Sequence, residues 1–426
     1  MKNIFVVLLS IVLFTKTNAQ ISFSQYFTNQ TLRFDYSDGG WKDTSDVFFE
    51  DLKVEQYWAG STTNLIEPFD LGIYQLHLYD SASNTLIYNT SYNTLYNEWV
   101  TTEEAKTTKR TYYESVVLPF PRNNVRLELY KRNKNNQKIK IYTLNINPLN
   151  YFIKNEKENQ NIVYNILDNG NPSKKLDIVF LAEGYTKEQI QKFENDVKRY
   201  SQYLFNSSPF KENKSKINIK AIFVPSEEEG TDVPGQNIWK KTVFNTHFYT
   251  FGTDRYLTSR DMYTVRNIAA QVPYDRICIL VNTNKYGGGG IYNFYSIFTA
   301  DNSYAEYVFI HEFGHSLADL ADEYYTSEVA YQDYYDLTVE PREPNITTLV
   351  DFESKWKKMV DKNTPIPTPI DKSKYDNVLG AFEGGGYIAK GIYRPKKDCT
   401  MKSATIDNFC PVCKNAIEKM IEYYSE

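Results

Sequence analysis

Tyr304-Ala-Glu-Tyr-Val-Phe-Ile-His-Glu-Phe-Gly-His-Ser-Leu317 is the stretch on which the reading of this chain turns. It is apolar nearly all round, which predicts a buried helix. Ser303 and Glu306 have the spacing of a capping box at its start. His311 and His315 stand four apart, so on a helix they project from one face, one turn apart. Both imidazoles then reach one metal ion at ~2.0–2.1 Å. Glu312 falls beside the ion rather than on it, placed to take a proton from a water there. This is the HExxH arrangement, with Glu312 as general base and zinc as the expected ion. The bland alternative is a pair of core histidines satisfied by neighbours. Burying two His and a Glu without such a use is costly, and these are two of only four histidines in 426 residues.

Two protein donors do not hold zinc, so a third is needed. His77 belongs to the other half of the chain, and His247 lies far upstream. The nearby candidates are Asp319, Asp322 and Glu323. In an unbroken helix Asp322 would sit about 16 Å along the axis from His311. It reaches the ion only if the helix ends soon after His315 and the chain doubles back. No glycine between Gly314 and Gly380 makes that turn. Asp319 is a fair substitute, because Asp tolerates the left-handed conformation. Asp322 is the favoured third ligand, with Glu323 in reserve.

Upstream of this helix the pattern alternates strand and helix. Leu176 to Leu181 reads as a strand buried on both faces. Thr186 and Gln189 form a capping box before Ile190, Phe193, Val197, Tyr200 and Leu204, which recur at helical spacing. Ile217–Val224 and Ile277–Val281 read as further strands, and Asp261–Val272 as a helix. Together they predict an α/β domain with a mostly parallel sheet over 170–426. Four glycines, Gly287 to Gly290, precede an expected exposed strand, Ile291–Thr299. Cys278 lies inside a buried strand. Pro411 suits the first turn of a closing helix through Tyr424.

Residues 20–150 read differently. Tyr74, Leu76 and Leu78 alternate with polar neighbours, as do Val125, Leu127 and Leu129, and Lys138–Ile146 continues the pattern. With no convincing amphipathic helix, this predicts an antiparallel β-sandwich. The polar stretch Asn150–Lys175 is the expected boundary. The fold class is therefore α+β multidomain. Met1–Gln20 has a basic start, an apolar run from Ile4 to Phe14 and small residues at 17–19. That predicts a signal peptide over 1–19, cleaved after Ala19, and a secreted, periplasmic or cell-surface protein. The apolar run is 11 residues, too short to span a membrane. A net charge of −5 without a basic run argues against nucleic acid. Hydrophobic residues at 41% and charged residues at 24% argue against wholesale disorder.

The run His311-Glu-Phe-Gly-His-Ser-Leu-Ala-Asp-Leu-Ala-Asp-Glu-Tyr-Tyr325 resembles the secreted bacterial IgA peptidase family. Glu343–Thr348, Glu383–Tyr387, Tyr393–Pro395, Cys399–Met401 and Phe409–Cys413 echo it. The resemblance implies a metzincin-like zinc peptidase domain behind an N-terminal β domain, and a protein or peptide substrate such as a host glycoprotein or immunoglobulin. It implies that Met401 is a Met-turn under the two imidazoles. Two departures stand out: Ala321 occupies the position of the usual metzincin third ligand, and Asp319 stands where the family is expected to carry Gly. Tyr387 and Tyr393 are candidate oxyanion donors. Cys399, Cys410 and Cys413 cluster near the end of the chain; Cys410-Pro-Val-Cys413 could hint at a second zinc, but a tetrahedral site needs a fourth ligand and no His lies nearby. In an oxidising compartment a disulfide from Cys399 to one of the other two is preferred. The competing function is a catalytically inert surface protein that binds protein or glycan.

Overall fold

The computed structural model describes residues 21–42, 44–155, 160–325, 334–404 and 408–426. The expected signal peptide lies outside these residues.

The N-terminal half holds seven strands: β1 (Phe27–Trp41), β2 (Thr44–Glu55), β3 (Tyr74–Asp80), β4 (Leu86–Tyr92), β5 (Arg110–Pro121), β6 (Val125–Arg132) and β7 (Lys138–Ile146). They pair antiparallel into two sheets, ordered β2-β1-β5 and β4-β3-β6-β7. Leu32, Phe34 and Leu118 from the first sheet share one core with Leu76, Leu127 and Leu129 from the second. The alternation legible in β3 and β6 is the inward face of that second sheet.

Two short helices interrupt this half, α1 (Phe23–Tyr26) and α2 (Leu95–Trp99). The sequence pattern misses α2, because one turn is too short to show a period. It is capped reciprocally by Thr94 and Asn97. Its Leu95, Tyr96 and Trp99 are buried together with Val179, Leu181 and Ile279 of the C-terminal half. The halves therefore share a core rather than touching through a linker.

The C-terminal half is built on a six-stranded sheet with β8 (Ile162–Leu167), β9 (Leu176–Glu183), β10 (Ile217–Phe223), β11 (Arg276–Val281), β12 (Gly288–Ile291) and β13 (Tyr295–Thr299). The order is β12-β13-β11-β9-β10-β8. The four central strands are parallel, while β8 and β12 run antiparallel at the edges. Strand β8 falls inside the stretch expected to be a boundary. It is an edge strand with no fully buried residue, so it reads as loop. Helix α3 (Ile190–Asn206) buries Phe193, Val197, Tyr200 and Leu204, as their spacing predicts. Helix α4 (Met262–Ala269) is capped by Asp261. A β-hairpin, β14 (Phe382–Gly385) with β15 (Ile388–Arg394), and the closing helix α6 (Pro411–Ser425) complete the fold. Among the described residues no helix is long and apolar enough to cross a membrane.

The expected strand Ile291–Thr299 divides. Asn293, at φ +51°, takes a turn, β13 is wholly buried, and the edge strand is the glycine run itself. A side chain on Gly288 or Gly290 would meet the helix α5 (Ala305–Ala318): a Cβ on Gly290 would lie 2.2 Å from the Glu312 carbonyl oxygen. A Cβ on Gly289 would lie 2.6 Å from the Leu257 carbonyl oxygen on the other side. The strand is glycine because it is pressed between a helix and a loop. Nor is its outer edge open, since Gly288 exchanges backbone hydrogen bonds with Arg255 and Leu257.

Candidate metal centre and cleft

Helix α5 carries the HExxH residues. Its expected capping box is absent: the helix begins at Ala305, and Asn302 holds the first turn by accepting from the Tyr304 amide at 2.9 Å. The helix ends at Ala318, and Asp319 takes the left-handed conformation at φ +50°. No glycine makes this turn. The Asp319 carboxylate instead accepts from the Gly72 amide at 3.0 Å and from Asn93 Nδ2 at 2.8 Å, both in the N-terminal half. Arg342 Nε lies 3.2 Å away as an ion pair.

The reversal brings Asp322 back over the helix. Its Oδ1 lies 3.0 Å from His311 Nε2 and 3.4 Å from His315 Nε2, and the two Nε2 atoms are 3.1 Å apart. Three donors bound to one ion at ~2.0–2.1 Å with tetrahedral angles would stand about 3.3 Å apart. The carbonyls of Thr400 and Leu320 each accept from an Nδ1, of His311 and His315 respectively. A carbonyl only accepts, so each Nδ1 carries a proton, and it is each Nε2 that faces the common point and could offer a lone pair to an ion there once deprotonated. Asp322 Oδ1 is buried, and its near neighbours among the described residues are these two ring nitrogens. The Tyr387 hydroxyl donates to the other oxygen, Oδ2.

Electrostatics follow from this packing in the absence of an ion. Burial opposes charge on Asp322, but the two imidazoles outweigh it and hold the carboxyl well below its usual range. Burial lowers His315, yet Asp322 and Glu312 raise it more, to about 9. Burial pushes Glu312 up, with His311 and His315 pulling back. The Glu312 carboxylate takes no hydrogen bond from any described residue and faces a cleft lined also by Arg255, Tyr286, Tyr307 and Gly288.

The remaining candidates separate. Glu323 is not at this centre; it turns to Cys399, Cys410 and Cys413. Met401 is fully buried against α5, its Sδ 3.1 Å from where a Cβ on Gly314 would sit, and its carbonyl accepts from the Glu323 amide at 2.8 Å. Tyr393 does not line the cleft; its backbone pairs with Thr347. His77 packs against Tyr130 in the N-terminal sheet, and His247 lines a separate cavity with Trp239 and Arg260. The expected disulfide is absent: all four cysteines are free and buried.

A profile described as IgA Peptidase M64 matches residues 164–378 and 371–421, and one described as Peptidase M64 N-terminus matches 22–143. The chain belongs to the IgA peptidase M64 family. Membership makes it a metallopeptidase, a hydrolase with a protein substrate. Comparison with curated proteins returns no match. Within this M64 peptidase, reading the sequence misses Arg255, Tyr286, Asn93 and Glu98, which reach the cleft from remote positions. No local motif marks them. Tyr324, within the resembling run, accepts from Arg255 at 3.4 Å.

Proposed function

We propose that this chain is an exported zinc-dependent endopeptidase whose ion is held by His311, His315 and Asp322. The observation that carries the reading is the convergence of three donor atoms, 3.0–3.4 Å apart, on one point, with Asp322 Oδ1 otherwise unpartnered. Zinc held there would lower the pKa of a water ligand towards ~7 and polarise the scissile carbonyl.

The chain's own residues supply the rest. Glu312 takes the proton of the attacking water and delivers it to the leaving amine. With no hydrogen bond from a described residue, the carboxylate can face that water. The Thr400 and Leu320 carbonyls hold the imidazole tautomers. Tyr387 orients Asp322, so its hydroxyl is spent on positioning rather than on the oxyanion. Arg255 and Tyr286 line the cleft and are candidate donors to the oxyanion. Export rests on the leader Met1–Ala19.

The test is Glu312→Gln on purified protein. The variant should retain its metal and lose casein cleavage by at least about 10²-fold, the typical size of a general-base contribution. Chelation should abolish wild-type cleavage. Normal cleavage by the variant would sink the reading and favour an inert binding protein.

A further inference from the structure

The cluster that the catalytic centre does not use is Glu323 with Cys399, Cys410 and Cys413. Their donor atoms all lie within 4.8 Å of one another. Cys399 Sγ is 3.8 Å and Cys410 Sγ 3.6 Å from Cys413 Sγ, and Glu323 Oε1 is 3.3 Å from Cys413 Sγ. Disulfide sulfurs stand about 2.05 Å apart, so these are not bonded pairs. Ligands of one tetrahedral zinc, at about 2.3 Å for sulfur and 2.0 Å for oxygen, would be separated by about 3.8 Å between sulfurs and 3.5 Å between sulfur and oxygen. The observed spacings are those of such a cage.

Three further observations point to a ligand. Glu323 is fully buried; its Oε1 accepts from Asn345 Nδ2 at 3.0 Å, and its Oε2 has no hydrogen-bond partner among the described residues. Arg394 lies near enough for its charge to favour the carboxylate, but its hydrogen bonds go to the Glu383 and Gly384 carbonyls. The Cys410 amide donates to Cys399 Sγ at 3.2 Å, an outer bond of the kind thiolate ligands accept. Three cysteines also cannot all be satisfied by disulfides.

We propose that Glu323, Cys399, Cys410 and Cys413 form a second, closed site for a divalent cation of the zinc class. Thiolate donors select such soft-tolerant ions. With all four side chains buried, no coordination place is open to water, so the ion is structural. Its net charge of three thiolates, a carboxylate and a dication equals that of a common four-cysteine site. The site ties three segments together at the points that build the catalytic centre. Glu323 follows Asp322 directly. Cys399 precedes Thr400, whose carbonyl holds His311. Cys410 and Cys413 open α6. The ion would also keep three thiols from oxidation in an exported protein. Binding it releases thiol protons to solvent.

The experiment counts metal in the full chain after extensive dialysis, in wild type and in His311→Ala/His315→Ala. Wild type should hold two zinc ions and the double variant one. Cobalt-loaded double variant should show thiolate-to-cobalt charge transfer in the near ultraviolet, which a His–Asp site cannot give. Cys413→Ser should remove that band and one ion. If Cys413→Ser fails to fold, the double variant alone decides. One ion in wild type and none in a folded double variant overturns this proposal and spares the catalytic one. One ion in both spares this site and overturns the catalytic reading. A disulfide among the three cysteines in native protein, found by mass spectrometry, also overturns it.

Discussion

Asp319→Gly sets local backbone preference against tertiary bonding. At φ +50° Asp319 occupies the conformation for which glycine is favoured, so the substitution relieves about 1 kcal/mol of strain. It also deletes the carboxylate that accepts from the Gly72 amide and Asn93 Nδ2 and pairs with Arg342. A hydrogen bond to a charged group contributes about 1.5–3 kcal/mol. Burial pushes the Asp319 carboxyl up and Arg342 pulls it back, so the low end of that range applies. Arg342 keeps Glu343 at 2.9 Å as a second partner, which limits its loss. Two bonds near 1.5 kcal/mol less 1 kcal/mol of strain predict a net destabilisation of about 2 kcal/mol. Asp319→Ala loses the same bonds and keeps the strain, so it should be about 1 kcal/mol worse than the glycine variant. Urea unfolding followed by circular dichroism, on metal-saturated protein, measures both. Cleavage should fall as well, because the turn that places Asp322 is tied through this carboxylate to the N-terminal half. A glycine variant as stable as wild type would refute the reasoning, and would mean that the halves do not brace the centre here.

Gly290→Ala places a Cβ 2.2 Å from the Glu312 carbonyl oxygen, so α5 must shift by about 1 Å; kcat for a peptide substrate should fall about 10²-fold, as such misplacements do. In the metal-free protein His315 is protonated up to about pH 9 and must lose that proton to bind an ion, so lower pH favours the empty site. The zinc concentration needed to reactivate chelated enzyme should therefore rise about tenfold per pH unit lowered between 8.5 and 6.5, about 1.4 kcal/mol per unit; a flat profile contradicts this. Asp177 and Asp275 sit together, Asp275 Oδ2 accepting from the Asp177 amide at 2.8 Å. Burial, then Asp275's charge, raises Asp177, and burial raises Asp275. Raised carboxyls contribute stability that is complete below their ordinary range and is lost as pH climbs through the raised values. Asp177→Asn should consequently raise the melting temperature at pH 8 more than at pH 5, read by thermal unfolding at both.

Much of the C-terminal half was open to reading because its signals are local. Leu176–Leu181 and Ile277–Val281 are continuous apolar runs, and α3 shows four buried residues at helical spacing. The failures have physical causes too. Strand β8 is an edge with few buried side chains, and α2 is a single turn. The expected exposed strand at 291–299 was misplaced because glycines carry no pattern, so β12 was invisible although it lies against α5.

The pentad at 311–315 needed no tertiary knowledge. Its geometry is set by 3.6 residues per turn, which puts the two imidazoles on one helix face. The choice among Asp319, Asp322 and Glu323 was of another kind. Three carboxylates within five residues have the same local chemistry, and what separates them is distant. Asp319 is claimed by Gly72 and Asn93, Asp322 by the imidazoles and Tyr387, and Glu323 by cysteines 76 to 90 positions along the chain. Partners so remote meet only when the chain folds, so their assignment belongs to the packed molecule.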